Sequence, residues 1–143
     1  MWMVALILWV FLLMKNKPGD IDIDINQQFY VGNDIVYLPD FEKSFSDLFK
    51  KKVYTENEIS YCNQFNKPLL RYASTWAAKE AVYKAVKQHN SASLSFNNIE
   101  ITRDKIAGKP NVNLLKLNHQ PKISLSISHD GDYVWAVAIL NID

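Results

Sequence analysis

The sequence has almost no cysteine and very little arginine, and both shortages exclude classes of function. Cys62 is the only cysteine among 143 residues, so an intrachain disulfide is impossible and a reducing compartment is expected. With no cysteine cluster and three scattered histidines, a structural zinc site is not expected. Only two of the 16 basic residues are arginines, Arg71 and Arg103, and the net charge is +1. These values argue against a nucleic-acid-binding surface.

Residues 1–14 form an uninterrupted apolar run, MWMVALILWVFLLM. The run is shorter than the roughly 20 residues that a membrane-spanning helix needs, and it lacks the basic start and small-residue cleavage site of a signal peptide. It suits a weak membrane anchor, with Lys15 and Lys17 favouring a cytoplasmic body, as well as it suits a start codon assigned too far upstream. A core strand or helix is less favoured, because Lys17-Pro18-Gly19 follows the run. We therefore treat residues 1–19 as an N-terminal extension and residues 20–143 as one domain.

Hydrophobic periodicity and turn signals predict an α+β domain. Strands are predicted at residues 19–25, 29–38, 94–102, 122–128 and 133–140, and helices after Pro39, from Thr55 to about Asn66, and from Pro68 to about Asn90. Thr55 and Glu58 match a capping box, and Asp130-Gly131 is a hairpin-turn signal. The coarse order is strand, three helices and then several antiparallel strands, and strand 133–140 is apolar enough to be central.

Two features of the first half predict how its elements pack. The helix after Pro39 should present one apolar face, made of Phe41, Phe45, Leu48 and Phe49. Gly32 interrupts a segment rich in β-branched and aromatic residues, and a glycine inside a strand often marks the close approach of another backbone.

The segment 74–85, STWAAKEAVYKA, is apolar on most sides yet carries Lys79, Glu80 and Lys84. Glu80 and Lys84 are spaced i, i+4, which suits an ordinary surface salt bridge. Their apolar neighbours favour instead a site in which the carboxylate holds a hard cation such as Mg²⁺ and the lysine binds phosphate. Since Mg²⁺ takes one or two carboxylates besides waters and phosphates, a second carboxylate is expected, and Asp34 is the best candidate.

Five segments occur in an order and at a spacing that resemble a known family. They are VGNDIVYL (31–38), KKVYTENE (51–58), TWAAKEAVYKA (75–85), LSFNNIEITRDKIAGKPNV (94–112) and SLSISHDGDYVWAVA (124–138). Together they resemble the 4′-phosphopantetheinyl transferase superfamily, in its short holo-acyl-carrier-protein synthase type. The resemblance covers residues 29–139.

The resemblance implies a fold, an activity and a set of site residues. The implied reaction moves 4′-phosphopantetheine from coenzyme A to a serine of an apo acyl carrier protein and releases 3′,5′-ADP, with Mg²⁺ as cofactor. Asp34 and Glu80 match the family's metal ligands, and Lys84 matches the lysine that meets the CoA phosphates. The resemblance further implies contacts with coenzyme A by Lys52, Gly108, Lys109, Pro110 and His129. Short members are usually homotrimers with the site between subunits, so a homotrimer is expected.

Two positions depart from the family pattern. Thr75 stands where bacterial members often have arginine, and Asp40 stands where a basic residue usually meets the acidic helix of the carrier. Asp40 would repel that acidic helix unless Lys43 or the lysines at 50–52 bind it instead. A catalytically silent relative that binds coenzyme A or a carrier therefore remains an alternative. The combination of Asp34, Glu80, Lys84 and His129 argues against it, since a silent protein has no need for two carboxylates and a lysine in one pocket.

Overall fold

The computed structural model describes residues 28–104 and 108–142. The apolar run at 1–14 and the predicted strand at 19–25 lie outside these residues. The elements are β1 (Gln28–Tyr37), α1 (Leu38–Ser44), α2 (Asp47–Val53), α3 (Glu56–Cys62), α4 (Pro68–His89), a 3₁₀ turn (Phe96–Asn98), β2 (Ile99–Arg103), β3 (Pro110–Leu114), β4 (Lys122–Asp130) and β5 (Tyr133–Ile142). The predicted α+β class is confirmed. No helix in the described part of the chain has the length and hydropathy to cross a bilayer.

The main sheet is antiparallel and has the order β1-β5-β4, so β5 is central as predicted. The other two strands, β2 and β3, form a separate antiparallel pair. Side chains of β5 alternate between buried and exposed, and the buried set is Val134, Ala136, Ala138 and Leu140. Helix α4 packs on this face with its own small buried residues, Ala73, Ala77, Ala78, Ala81 and Ala85. Small side chains on both surfaces let the helix lie close to the sheet.

At Gly32 the backbone of α4 lies very close to β1, which confirms the expected backbone approach. A Cβ atom built at Gly32 would overlap the carbonyl oxygen of Ala81 and would lie 2.6 Å from the backbone nitrogen of Ala85. Only glycine leaves room for this contact. The contact brings the middle of β1 against the middle of α4.

The segment after Pro39 forms two short helices instead of the single helix predicted. The first ends at Ser44, where Phe45 takes an extended conformation, and Ser46 caps the second, since its hydroxyl accepts a hydrogen bond from the Phe49 backbone N–H at 3.1 Å. The aromatic rings of Phe41, Phe45 and Phe49 do pack together. Leu48 does not join them, because the break rotates it outward and leaves it 63% exposed.

Several other element boundaries and the centre of one turn differ from the prediction, and the capping box agrees. Helix α3 ends at Cys62, before Asn66, and the strand expected from 94 begins at Ile99 after the 3₁₀ turn. The residues at the centre of the β4–β5 turn are Gly131 and Asp132, and Gly131 takes the positive φ of 54°. The capping box is confirmed, since the Thr55 N–H donates to Glu58 Oε2 at 2.9 Å and the Glu58 N–H donates to Thr55 Oγ1 at 3.3 Å.

The single thiol is predicted to be unreactive in the folded protein. Cys62 is fully buried, and burial raises the pKa of its thiol to about 11, so little thiolate forms at neutral pH. We expect iodoacetamide at pH 8 to label the folded chain at least about 100-fold more slowly than the urea-unfolded chain, as read by mass spectrometry. Equal labelling rates in the two states would contradict the burial of this side chain.

Candidate active site

Asp34 and Lys84, expected to act together, are in direct contact. The Lys84 ammonium lies 2.7 Å from Asp34 Oδ1 and 3.0 Å from the backbone carbonyl oxygen of Asn33. Asp34 is on β1 and Lys84 is on α4, so their contact follows from the close approach at Gly32. Lys84 therefore forms its salt bridge with Asp34 on β1, and not with Glu80 at the i, i+4 spacing.

Asp34 and Glu80 line one open cavity of about 430 Å³. The rest of its lining is mostly apolar, with Asp40 and Ser44 as the polar members; the apolar residues are Ile35, Val36, Tyr37, Phe41 and Trp76. Burial and, secondly, the charge of Asp34 raise the pKa of Glu80, while the charge of Lys84 lowers it in part. The two carboxylates thus repel each other across a partly desolvated space. We call this space the acidic cavity.

The acidic cavity suits a hard divalent cation. Two carboxylates whose repulsion is only partly compensated are relieved when a cation lies between them, and Mg²⁺ prefers such oxygen ligands. Among the described residues, no group of three or more histidine, cysteine, aspartate or glutamate side chains is arranged to hold a metal. A pair is sufficient for Mg²⁺, which completes its octahedron with water and substrate phosphates.

A second cavity, of about 240 Å³, collects His129, Gly108 and Pro110 together with both arginines of the chain, and we call it the arginine cavity. The Arg71 guanidinium stacks 4.1 Å from the Phe65 ring centre, and that of Arg103 lies 5.0 Å from the Tyr61 ring centre. Stacking of this kind fixes a guanidinium while leaving its N–H groups available to an anion.

The structure therefore gathers the expected residues into two groups, not one. Asp34, Glu80 and Lys84 lie together, and His129 lies with Gly108 and Pro110, but no described residue lines both cavities. Lys52 and Lys109 are exposed and line neither cavity.

The arginines of the second cavity were missed as site residues by the sequence analysis, which took their small number only as a reason to exclude nucleic acid. The available signal was their position, since Arg103 falls within a family-like segment and Arg71 lies one helical turn before Thr75. Thr75, where bacterial members often carry arginine, accepts a hydrogen bond from Arg103 Nη1 at 3.2 Å. The guanidinium of Arg103 thus lies next to Thr75, although it comes from a different part of the chain.

Comparison with known proteins defines the class of protein to which this fold and these cavities belong. The family model for the 4′-phosphopantetheinyl transferase superfamily matches residues 30–138. Since this match spans most of the chain, the chain belongs to that superfamily.

Within this superfamily, individual relatives are holo-acyl-carrier-protein synthases. A holo-[acyl-carrier-protein] synthase of Protochlamydia amoebophila is 37% identical over 116 residues, which cover 76% of this chain and 94% of the relative. The structure of an ACPS–CoA complex from Chronobacterium ammoniagenes has a TM-score of 0.70 and 28% identity, and covers 81% of this chain and 98% of that one. A holo-(acyl-carrier-protein) synthase of Bacillus anthracis in complex with CoA (3′,5′-ADP) has a TM-score of 0.65 and 30% identity, with coverages of 80% and 96%. The resemblance to the holo-acyl-carrier-protein synthase type is confirmed.

Proposed function

We propose that this chain transfers 4′-phosphopantetheine from coenzyme A to a serine of an apo acyl carrier protein and releases 3′,5′-ADP. The observation that carries the proposal is the meeting of Asp34, Glu80 and Lys84 at the contact between β1 and α4. In the transfer, the serine hydroxyl gives its proton to a base, its oxygen bonds to the β-phosphorus of coenzyme A, the bond from that phosphorus to the bridging oxygen breaks, and the leaving 3′,5′-ADP carries away the negative charge.

The three residues divide two tasks between them in this proposal. Asp34 and Glu80 would hold Mg²⁺, which supplies neutralisation of the charge that develops on the pyrophosphate. Lys84 donates its N–H groups to phosphate oxygens and stabilises the same charge electrostatically. Lys84 now binds Asp34 at 2.7 Å, and its side chain is about half exposed, so it can turn from the carboxylate toward a phosphate.

The arginine cavity suits the nucleotide end of coenzyme A. Arg71, Arg103 and His129 offer donors to a phosphate group, and guanidinium groups bind phosphate bidentately. Because family members place their site between subunits, we propose that one coenzyme A molecule uses the acidic cavity of one subunit and the arginine cavity of its neighbour.

A homotrimer, the assembly that the family pattern implies, would meet this requirement. The outward face of β1 and β5 supplies a surface for it, since large apolar side chains are exposed there in register with one another. They are Val31, Ile35, Tyr37, Tyr133, Trp135 and Ile139. An apolar patch of this kind on an antiparallel sheet marks a protein interface.

Charge reversal on that face is predicted to dissociate the assembly and to lower transfer. Trp135→Glu should reduce the mass measured by light scattering to that of a monomer, because a carboxylate buried in an apolar interface is costly. Transfer should fall with it, since the two half-sites separate. Leu117→Glu, at an apolar residue of similar exposure outside the sheet, is the control and should change neither quantity. A wild-type chain that is fully active as a monomer would contradict the shared site.

The carrier would meet the lysines at the end of α2. Asp40 binds Lys43 at 2.8 Å, so the charge of Lys43 is already engaged. Lys50 lies 5.3 Å from the ring centres of Phe45 and Tyr72. Lys51 and Lys52 are exposed and remain the cations best placed for an acidic carrier. We also propose a cytoplasmic location, which the free, buried thiol of Cys62 supports.

The test is the release of 3′,5′-ADP from coenzyme A by residues 20–143 in the presence of Mg²⁺ and an apo carrier. Release should require a carrier serine, so a carrier with that serine replaced by alanine is the control. Tight binding of coenzyme A with no release on a panel of fatty acid, polyketide and peptide carriers would favour the silent relative instead.

A further inference from the structure

The proposed reaction leaves unexplained a lysine in the middle of α4. The Lys79 side chain is completely buried. Its Nζ lies 2.6 Å from Glu58 Oε2, 2.7 Å from the carbonyl oxygen of Val53 and 2.9 Å from the carbonyl oxygen of Phe96. An ammonium has three N–H donors and no acceptor, so these three oxygens satisfy it completely.

Both carboxylate oxygens of Glu58, the partner of Lys79, also accept hydrogen bonds. Its Oε1 accepts from the backbone N–H of Ile101 at 2.8 Å, and its Oε2 accepts from that of Thr55 at 2.9 Å. Burial lowers the pKa of Lys79, and the charge of Glu58 opposes that effect. The ion pair therefore connects α4 to the end of α2, the start of α3, the 3₁₀ turn and β2.

One member of the Lys79–Glu58 ion pair lies next to Glu80 in the sequence, and the pair can therefore affect the acidic cavity. Lys79 directly precedes Glu80, and successive helical side chains project about 100° apart around the axis. A helix whose Lys79 is fixed toward α2, α3 and β2 has its Glu80 directed to a fixed angle on the side of β1. Gly32 sets the distance between the helix and β1 on that side.

We propose that Lys79 is a positioning residue, whose bonds to Glu58, Val53 and Phe96 set the rotation of α4 so that Glu80 and Asp34 can bind one cation. This inference rests on the proposed metal role of those two carboxylates. Lys79 would thus support cation binding without touching the cation or the substrate.

The test compares Lys79→Met with the wild-type chain in binding of Mn²⁺, a paramagnetic probe for the Mg²⁺ site. Free Mn²⁺ is measured by electron paramagnetic resonance with and without coenzyme A, and the unfolding midpoint is measured on the same samples. We expect Mn²⁺ affinity to fall about 10- to 100-fold, as it does when residues that orient metal ligands are removed. The half-saturating Mg²⁺ concentration for transfer should rise by the same factor.

A control variant distinguishes a general loss of folding stability from a misplacement of Glu80. Leu114→Ala removes a buried side chain from β3 that lines neither the acidic nor the arginine cavity. It should lower the unfolding midpoint and leave the Mn²⁺ affinity of the folded chain unchanged. Should Lys79→Met behave like Leu114→Ala, the pair is only structural and the inference is overturned.

If Lys79→Met does not fold, Glu58→Gln decides between the same two outcomes. The amide keeps the size of the side chain and leaves Lys79 its two carbonyl acceptors. Wild-type chain that binds Mn²⁺ but transfers nothing would leave this inference standing and defeat the proposed reaction. Wild-type chain that binds no Mn²⁺ in either condition would defeat both.

Discussion

Replacing Glu80 by glutamine is expected to abolish phosphopantetheine transfer while the fold is kept. The amide has nearly the shape of the carboxylate but no charge, so the acidic cavity loses one of the two carboxylates proposed to hold Mg²⁺. A bound metal contributes several kcal/mol of transition-state stabilisation, so transfer should fall by at least about 1,000-fold. The rate of holo-carrier formation at saturating coenzyme A measures the loss. A Glu80→Gln enzyme with wild-type activity would remove Glu80 from the metal site.

The same variant should make the metal-free protein slightly more stable near neutral pH. Burial and Asp34 raise the pKa of Glu80 above its value in the unfolded chain, so the folded state binds the proton more tightly. The stability linked to that proton is complete below the unfolded pKa and is lost as pH rises through the folded pKa. A neutral glutamine avoids this loss. Because Glu80 is only half-buried, the gain should be about 0.5 kcal/mol.

Two controls identify the origin of that gain in thermal unfolding at pH 4 and pH 7. Saturating Mg²⁺ should stabilise the wild-type chain and have little effect on Glu80→Gln. The two metal-free proteins should be closest in stability at the lower pH. A variant less stable than the wild type at pH 7 would mean that Glu80 has a stabilising partner, contrary to the repulsion inferred here.

Gly32→Ala is expected to have the second large effect, on both stability and transfer. The added methyl group would overlap the Ala81 carbonyl oxygen and lie 2.6 Å from the Ala85 nitrogen. These are backbone atoms of α4 and cannot move alone, so the whole helix must shift away from β1. Overpacking against rigid backbone should cost about 3 kcal/mol or more. A displacement of about 1 Å between Asp34 and Glu80 should lower transfer by about 100-fold.

Gly131→Ala is the matched control for this substitution. Gly131 has a positive φ of 54°, but nothing lies within 4 Å of a Cβ built there. The alanine should therefore cost only about 1–2 kcal/mol of backbone strain and leave the transfer activity of the folded protein near normal. A Gly32→Ala protein no less stable than Gly131→Ala would contradict the close contact between α4 and β1.

Local signals in the sequence were enough to predict α4, the central position of β5 and the close approach at Gly32. The capping box of α3 could also be predicted, because its bonds join residues three apart. The break between α1 and α2 was missed because the spacing of the phenylalanines suits one helix, and only the Ser46 hydroxyl marks the interruption. β3 was missed because PNVNL contains proline and two asparagines, which are depleted in strands. Its pairing with β2 is what makes it a strand.

The candidate site was predicted residue by residue but not in its spatial arrangement. Contact between Asp34 and Lys84 joins residues 50 positions apart, and sequence spacing does not contain that information. The same holds for Lys79 and Glu58, whose pairing depends on how α3 crosses α4. The division of the expected residues between two cavities is likewise a property of the fold. The metal and coenzyme A roles of these residues remain predictions.

The proposed transfer and its metal dependence are tested together by a mass spectrum of an apo acyl carrier protein incubated with residues 20–143, coenzyme A and Mg²⁺. We expect a gain equal to one phosphopantetheine, lost when EDTA is added and restored by excess Mg²⁺. A gain that persists in EDTA would contradict the metal role of Asp34 and Glu80. A carrier mass unchanged across fatty acid, polyketide and peptide carriers, with coenzyme A bound, would contradict the transferase itself.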